Sequence, residues 1–222
     1  MNNKILIYDL CGRDDIRFSP PCWNIKLCLI HNKIDFETIP IKFTEKSKIL
    51  FSSQKLVPIL KYNEEVICDS WDIFCWLNEK FKELKLIFSD QTKIFSKYLY
   101  FYTSKHLLPL IFQIIGNDIP KILDEEDKKY FLYSREKRLG KPLESLLQNK
   151  SEAKNKLFNS LLIFEKILKD NKFINGIEPG LPDFIFFGNF MWAEKCSSEN
   201  LFENTPNINN WYSELKAMND LN

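Results

Sequence analysis

Apolar periodicity changes once along this 222-residue chain, near residue 89. Upstream, short runs rich in Ile, Leu, Val and Tyr alternate with stretches of helical spacing; downstream, only helical spacing remains. Such a chain must build a sheet with its own helices first and an all-helical unit second. Lys4 to Leu10, Asp35 to Ile41, Val57 to Leu60 and Val66 to Cys68 read as strands. The last two form a hairpin around Tyr62-Asn63-Glu64-Glu65, where Asn63 tolerates a turn geometry. Residues 20–32, a short polar stretch 45–51, and residues 70–82 read as helices. The order is β-α-β-α-β-β-α, an α/β unit whose four-stranded sheet should be mixed. Helices are then expected at 90–115, 125–148, 151–170, 181–196 and 207–218. The expected division is 1–82, a linker at 83–89, and an all-α domain at 90–222.

The chain is 45% hydrophobic and 14% aromatic, enough apolar mass for a well-buried core. A net charge of +1 offers no broad field to nucleic acid or to an anionic membrane, so neither is an expected partner. No apolar run approaches the ~18 residues of a spanning helix. Asp9, Arg13, Asp14 and Asp15 interrupt the amino end before an apolar core can form, so a cytoplasmic location is expected. Six cysteines, Cys11, Cys22, Cys28, Cys68, Cys75 and Cys196, make no C-x-x-C pair and no zinc spacing. With only His31 and His106 as histidines, no metal site is expected.

Phe18-Ser19-Pro20-Pro21-Cys22-Trp23 opens the first helix. Ser19 suits the N-cap, and proline is tolerated in the first turn. A hydroxyl there stands where unpaired N–H groups and the positive end of the helix converge, a place that favours an anion or a thiolate. Cys22 follows one turn in, and Trp23, Leu27 and Ile30 share a face. Asp69-Ser70 caps the third helix in the same manner.

With Tyr8-Asp9-Leu10, Arg17 to Pro20, Trp23, Asp35-Phe36-Glu37, Val57 to Leu60 and Asp69-Ser70-Trp71, the chain resembles the glutathione transferase family. Arg138-Leu139-Gly140-Lys141 with Leu143-Glu144, and Pro182-Asp183 through Phe187-Gly188 to Trp192, extend the resemblance toward the serine-type branch that includes bacterial lignin β-etherases and related fungal enzymes. The resemblance implies a thioredoxin-like amino-terminal domain that binds glutathione. Ser19 would be the catalytic hydroxyl, stabilising a thiolate that attacks a small electrophile, aromatic or ether-type. Val57, before a cis Pro58, would pair with the glutathione backbone like a short strand. Asp69 and Ser70 would hold the other end of the tripeptide. Gln54 and Lys55 would reach the glycyl carboxylate, although Leu56 stands where relatives carry lysine. Phe18, Cys22, Trp23, Tyr98, Phe101, Tyr102 and Lys105 would wall the second-substrate pocket, and a homodimer is implied. Two other readings stay open: thiol–disulfide exchange through Cys22, and a non-catalytic glutathione or ligand-binding module. Asp183, after Gly180-Leu181-Pro182, reads as a capping carboxylate with a folding role.

Overall fold

The computed structural model of the protein describes residues 4–81 and 89–221. Strands β1 (Ile5–Leu10), β2 (Phe36–Ile41), β3 (Ile59–Tyr62) and β4 (Glu65–Cys68) form one sheet in the order β2-β1-β3-β4. β1 runs parallel to β2 and antiparallel to β3, and β3 to β4 is the expected hairpin, with Asn63 at φ 52°. Helix α1 (Pro20–His31) makes the crossover between the parallel strands, and α2 (Ser70–Lys80) follows the hairpin. The short stretch expected as a second helix is instead a run of 3-10 turns, Lys46–Ser52, stopped by Ser53 in the left-handed region. Of the expected linker, residues 83–88 lie outside the described residues, as does the last residue expected in the third helix. Ser89 caps the next helix, its hydroxyl accepting from Thr92 N–H while Thr92 Oγ1 accepts from Ser89 N–H.

The helical half comprises α3 (Asp90–Tyr102), α4 (Leu108–Ile115), α5 (Glu125–Leu139), α6 (Lys150–Asp170), α7 (Leu181–Cys196) and α8 (Pro206–Met218). α3 and α4 are joined without a loop by a π-helical turn, Thr103–Leu107. Pro109 lacks the N–H that would close the last α-helical turn, and the wider turn accommodates it. The single helix expected over 125–148 breaks at Leu139. Gly140 adopts φ 68° as the C-cap, Pro142 follows, and Leu143–Asn149 continues as 3-10 turns.

Helix α1 is buried from Cys22 to Leu29 on every face. It lies between the sheet and α7, itself buried from Leu181 through Met191. A helix covered on both sides carries no polar stripe, which is why its hydrophobic residues do not sort to one face. The α1–α7 approach is close because Gly188 has no side chain: a Cβ there would lie 2.5 Å from Pro20 O. The halves are also tied by Asp127 on α5, which accepts from Phe43 N–H, Thr44 N–H and Thr44 Oγ1 at 2.9, 2.9 and 2.7 Å.

Asp183, in the first turn of α7, is fully buried. It accepts from the N–H groups of Ile174, Asn175 and Gly180 and from Trp211 Nε1, at 2.8 to 3.1 Å. One carboxylate thus holds the loop before α7 and the body of α8 together. Burial pushes its carboxyl up, and the four donors act against that shift.

Candidate functional site

The sheet register brings distant motifs to one edge. Tyr8 faces Ile59 and Ile59 faces Cys68. One residue beyond the ladder, Pro58 and Asp69 therefore leave the sheet at the end where β1 runs out toward Leu10. The Val57–Pro58 bond is cis, as the resemblance implied. Val57 is half-buried, and Gln54, Lys55 and Leu56 are exposed beside it.

Asp69 caps α2 by accepting from Trp71 N–H at 2.8 Å. Its backbone is held at φ 67°, ψ 134°, a region sparsely populated by residues with a side chain. Ser70 is buried and donates its hydroxyl to Tyr100 Oη at 3.1 Å; Tyr100 in turn donates to Asp69 Oδ1 at 3.3 Å. Burial raises the Tyr100 phenol above its ordinary value. The Ser70–Tyr100–Asp69 chain fixes the α2 start against α3. Tyr100 was missed in the sequence because Tyr98, Phe101 and Tyr102 beside it carry the same aromatic signal.

At the same end of the sheet, after the loop that follows β1, Ser19 occupies the α1 N-cap, and its hydroxyl oxygen accepts from Cys22 N–H at 3.4 Å. Ser19 is 4% exposed and lies on the wall of a cavity of about 600 Å³ between the sheet domain and the helices. The sheet side of this cavity is Leu10, Phe18, Ser19, Pro20, Pro21 and Phe43. The helical side includes Ser104, Leu108 and Phe112, which recur every four residues through the π turn into α4. Phe131, Arg135 and Arg138 on α5 and Trp192 on α7 complete the parts of the wall relevant to chemistry. Phe112 and Trp192 stack with ring centroids 6.3 Å apart, and Phe43 packs against Phe131 at 5.8 Å.

Phe18 and Ser19 thus meet at the cavity, whereas the other residues expected on its wall stand elsewhere. Cys22 is 0% exposed, its Sγ 3.9 Å from Tyr8 O. Burial and the nearby Asp9 charge push its thiol well up, so it is neither on the wall nor disposed to be a thiolate. Trp23 turns away: its Nε1 donates to Arg17 O at 2.8 Å and its ring lies under Lys26 Nζ at 3.5 Å. Lys26 and Arg17 face the fully buried Asp9 at 2.7 and 3.7 Å, so this group of charges braces the loop before α1. On α3, Tyr98 and Phe101 are 64% and 51% exposed, and Lys105 in the π turn is also exposed. Tyr102 packs against Tyr98, His106 and Phe164. The widened turn rotates the following residues, so that Ser104 and Leu108, not the aromatic stripe, reach the cavity.

Sequence reasoning also missed Phe43, Phe112, Arg135 and Arg138. One signal was available for the arginines. Neither has an acidic residue three or four positions away, the spacing at which a solvent-facing helix charge is usually matched. Among the described residues, no helix is long and apolar enough to cross a membrane, and no cluster of three His, Cys, Asp or Glu side chains could hold a metal ion.

The glutathione S-transferase N-terminal domain family matches residues 15–85, and the corresponding C-terminal domain family matches residues 94–215. The sheet unit thus has the thioredoxin-like fold of that family, followed by its helical domain. A glutathione transferase of Phanerochaete chrysosporium is 17% identical, with 97% of each chain covered and a TM-score of 0.87. A glutathione S-transferase of Ceriporiopsis subvermispora, solved in complex with glutathione, is also 17% identical, covering 98% of this chain and 97% of that one, with a TM-score of 0.86. One from the Antarctic clam Laternula elliptica is 22% identical, covering 96% and 88%, with a TM-score of 0.68.

Proposed function

Because the chain belongs to the glutathione S-transferase family, we propose that it transfers glutathione to an aromatic or aryl-ether electrophile, with Ser19 stabilising the thiolate. The observation that carries this reading is the position of Ser19: a cap hydroxyl at the start of α1, opening on an aromatic-lined cavity between the two halves. Accepting from Cys22 N–H uses one lone pair of the hydroxyl and leaves its proton available to a ligand sulfur. A thiol of pKa near 8.5 is mostly protonated at neutral pH, and a shift of about two units corresponds to roughly 2.7 kcal/mol. One charge-assisted hydrogen bond together with the helix end is of that size.

Val57, Pro58, Asp69 and Ser70 would carry the tripeptide along the shared sheet edge, with its sulfur toward Ser19. The exposed Gln54 and Lys55 would approach its glycyl carboxylate. The thiolate then attacks an electrophilic carbon: a C–S bond forms, a bond to halide or to an aryl-ether oxygen breaks, and the leaving group departs with the electron pair. The thiol proton passes to solvent. The protein contributes orientation of the two reactants and electrostatic stabilisation of the sulfur anion. Phe18, Phe43, Phe112, Phe131 and Trp192 suit a flat aromatic second substrate.

The assembly we propose is a homodimer. Ile94, Tyr98 and Phe101 form an exposed apolar stripe on one face of α3, at spacings of four and three residues.

The test is an ultraviolet titration of the glutathione thiol bound to the protein, paired with turnover of 1-chloro-2,4-dinitrobenzene. The bound thiol should ionise about two units below free glutathione. Ser19→Ala should return it most of the way and cut kcat about tenfold or more while the far-ultraviolet dichroism stays unchanged. A thiol pKa indifferent to Ser19→Ala removes this serine from the mechanism.

A further inference from the structure

Arg135 and Arg138 are out of balance with their surroundings. They lie three residues apart on α5, hence on one face, and both line the cavity that Ser19 borders. The Arg135 guanidinium sits 4.8 Å from the Phe131 ring centre and 5.5 Å from that of Phe43. The Arg138 guanidinium sits 5.6 Å from the Phe112 ring centre. All three rings belong to the same cavity, so both cations lie over its aromatic wall.

Among the described residues, neither guanidinium has an ion-pair partner, although the chain forms many elsewhere. Among the described residues, the one hydrogen bond of the Arg135 guanidinium is to its own neighbour, Nη1 donating to Ser134 Oγ at 3.0 Å. Nearby carboxylates are engaged: Glu136 accepts from Leu143 N–H at 3.1 Å, and Asp127 accepts from Phe43 and Thr44. Burial, together with the like charge of Arg138, pulls the Arg135 guanidinium below its ordinary value. Lys46, half-buried and also within the field of Arg135, adds to the positive potential. The dipole of α5 accounts for a cation in its last turn, where Arg138 stands, but not for Arg135 a turn earlier. A half-buried guanidinium held over aromatic rings without a counter-charge is costly unless a ligand supplies one.

The geometry points to a second substrate that is an aromatic electrophile bearing a carboxylate, its ring between the phenylalanines and its carboxylate on Arg135 and Arg138. This rests on the transferase reading above. Planar guanidinium forks match a carboxylate in a bidentate manner, and a flat ring fits the remaining wall. The step is unchanged: glutathione sulfur bonds to the ring carbon, the carbon–halogen bond breaks, and halide leaves with its electron pair. The carboxylate positions the ring and takes no part in bond making.

The experiment compares 4-chloro-3-nitrobenzoate with its methyl ester, each kcat/KM divided by the uncatalysed rate of the same compound with glutathione. The wild type should favour the carboxylate by about tenfold or more, the effect of one good charged contact. Arg135→Gln with Arg138→Gln should abolish that preference, and Arg135→Lys with Arg138→Lys should retain part of it. Arg138→Gln alone, at an exposed position, should reduce it and covers the case in which the double variant misfolds. No preference in the wild type, or a preference that survives the glutamine variants, overturns the inference. So does a rise in KM for glutathione with the carboxylate-to-ester ratio unchanged, which would put the arginines on the tripeptide. If neither compound is turned over, the transferase reading fails separately. Calorimetry with unreactive 3-nitrobenzoate and its methyl ester then decides the arginine site: binding of the acid alone, lost in the glutamine variants, upholds it, and equal binding or none overturns it.

Discussion

Gly188 on α7 stands against Asn24 on α1 so closely that a Cβ at position 188 would lie 1.9 Å from Asn24 Oδ1. This contact sets the spacing between the helix that begins at Ser19 and the helix that carries Trp192, and both residues border the cavity. Gly188→Ala has two obstacles, the Asn24 side chain and the backbone carbonyl of Pro20. The side chain can move, whereas the carbonyl belongs to the first turn of α1. Overpacking of this kind should cost about 1–3 kcal/mol. Thermal unfolding should therefore shift down by several degrees, about 2–4 °C per kcal/mol for a chain of this size. KM for an aromatic electrophile should rise with it. A variant with unchanged melting and unchanged KM would show that the helices part without cost.

Asp183 offers a contrast, because its effect should be on stability alone. Four donors converge on its buried carboxylate. Asp183→Ala leaves those donors unmatched in the core, at about 1–3 kcal/mol for a single buried group and more for several. We expect a loss of at least about 3 kcal/mol, read by urea unfolding, with the thiol pKa of bound glutathione unaltered in the fraction that remains folded. A change in that pKa would connect the α7 start to the chemistry after all.

Acid stability should report on Glu199. Lys150 and Lys154 on α6 both pair with it, Lys154 at 2.6 Å, and hydrogen bonds from these two lysines, first Lys150, hold its carboxyl below the ordinary value. Since the folded pKa is depressed, its stabilisation is present in full above the unfolded value near 4.5 and is lost as pH falls through the lower folded one. Solvent reaches the group, so screening limits the contribution to about 1 kcal/mol or less. Glu199→Gln should remove that part of the slope of stability against pH below about 4.5 and leave the curve parallel above it. Identical acid limbs in the two proteins would mean the pairing adds nothing.

The α3 stripe predicts an oligomer. Ile94 is 79% and Tyr98 64% exposed, an apolar surface a monomer would leave wet. Light scattering should give twice the chain mass of 26.4 kDa for the wild type and 26.4 kDa for Ile94→Glu with Tyr98→Glu. A monomeric wild type, or a dimer indifferent to both glutamates, would place the interface elsewhere or remove it.

How far the sequence carried this picture depends on the range of the interaction concerned. The strands, the α1 cap at Ser19, the Asp69 cap and the hairpin at Asn63 rest on neighbours within a few positions, and they appear in the structure where those signals lie, except that β3 starts at Ile59, two residues later than expected, and runs on to Tyr62. The break at Gly140 had its signal too, a glycine two residues before a proline, but the helical spacing on both sides masked it. The π turn at Thr103–Leu107 carried less, since Pro109 marks a disturbance without giving its rotation. That rotation decides which residues of the α3–α4 pair face the cavity. The aromatic stripe at Tyr98 and Phe101 therefore pointed the wrong way, and Ser104, Leu108 and Phe112 passed unnoticed. Trp23 and Cys22 misled for another reason: α1 is covered on both sides, and a helix with two partners gives no one-sided pattern from which to choose.

The double covering of α1 also divides the molecule into a part that must stay and a part free to vary. A helix gripped by a sheet on one flank and by α7 on the other cannot tilt without disturbing both, so the hydroxyl at its tip keeps a constant address. The opposite bank of the cleft comes from α4 and α5, where Leu108, Phe112, Arg135 and Arg138 are not fully buried and carry less of the core. A scaffold so divided lets the cleft change what it admits while the hydroxyl facing it stays where it is.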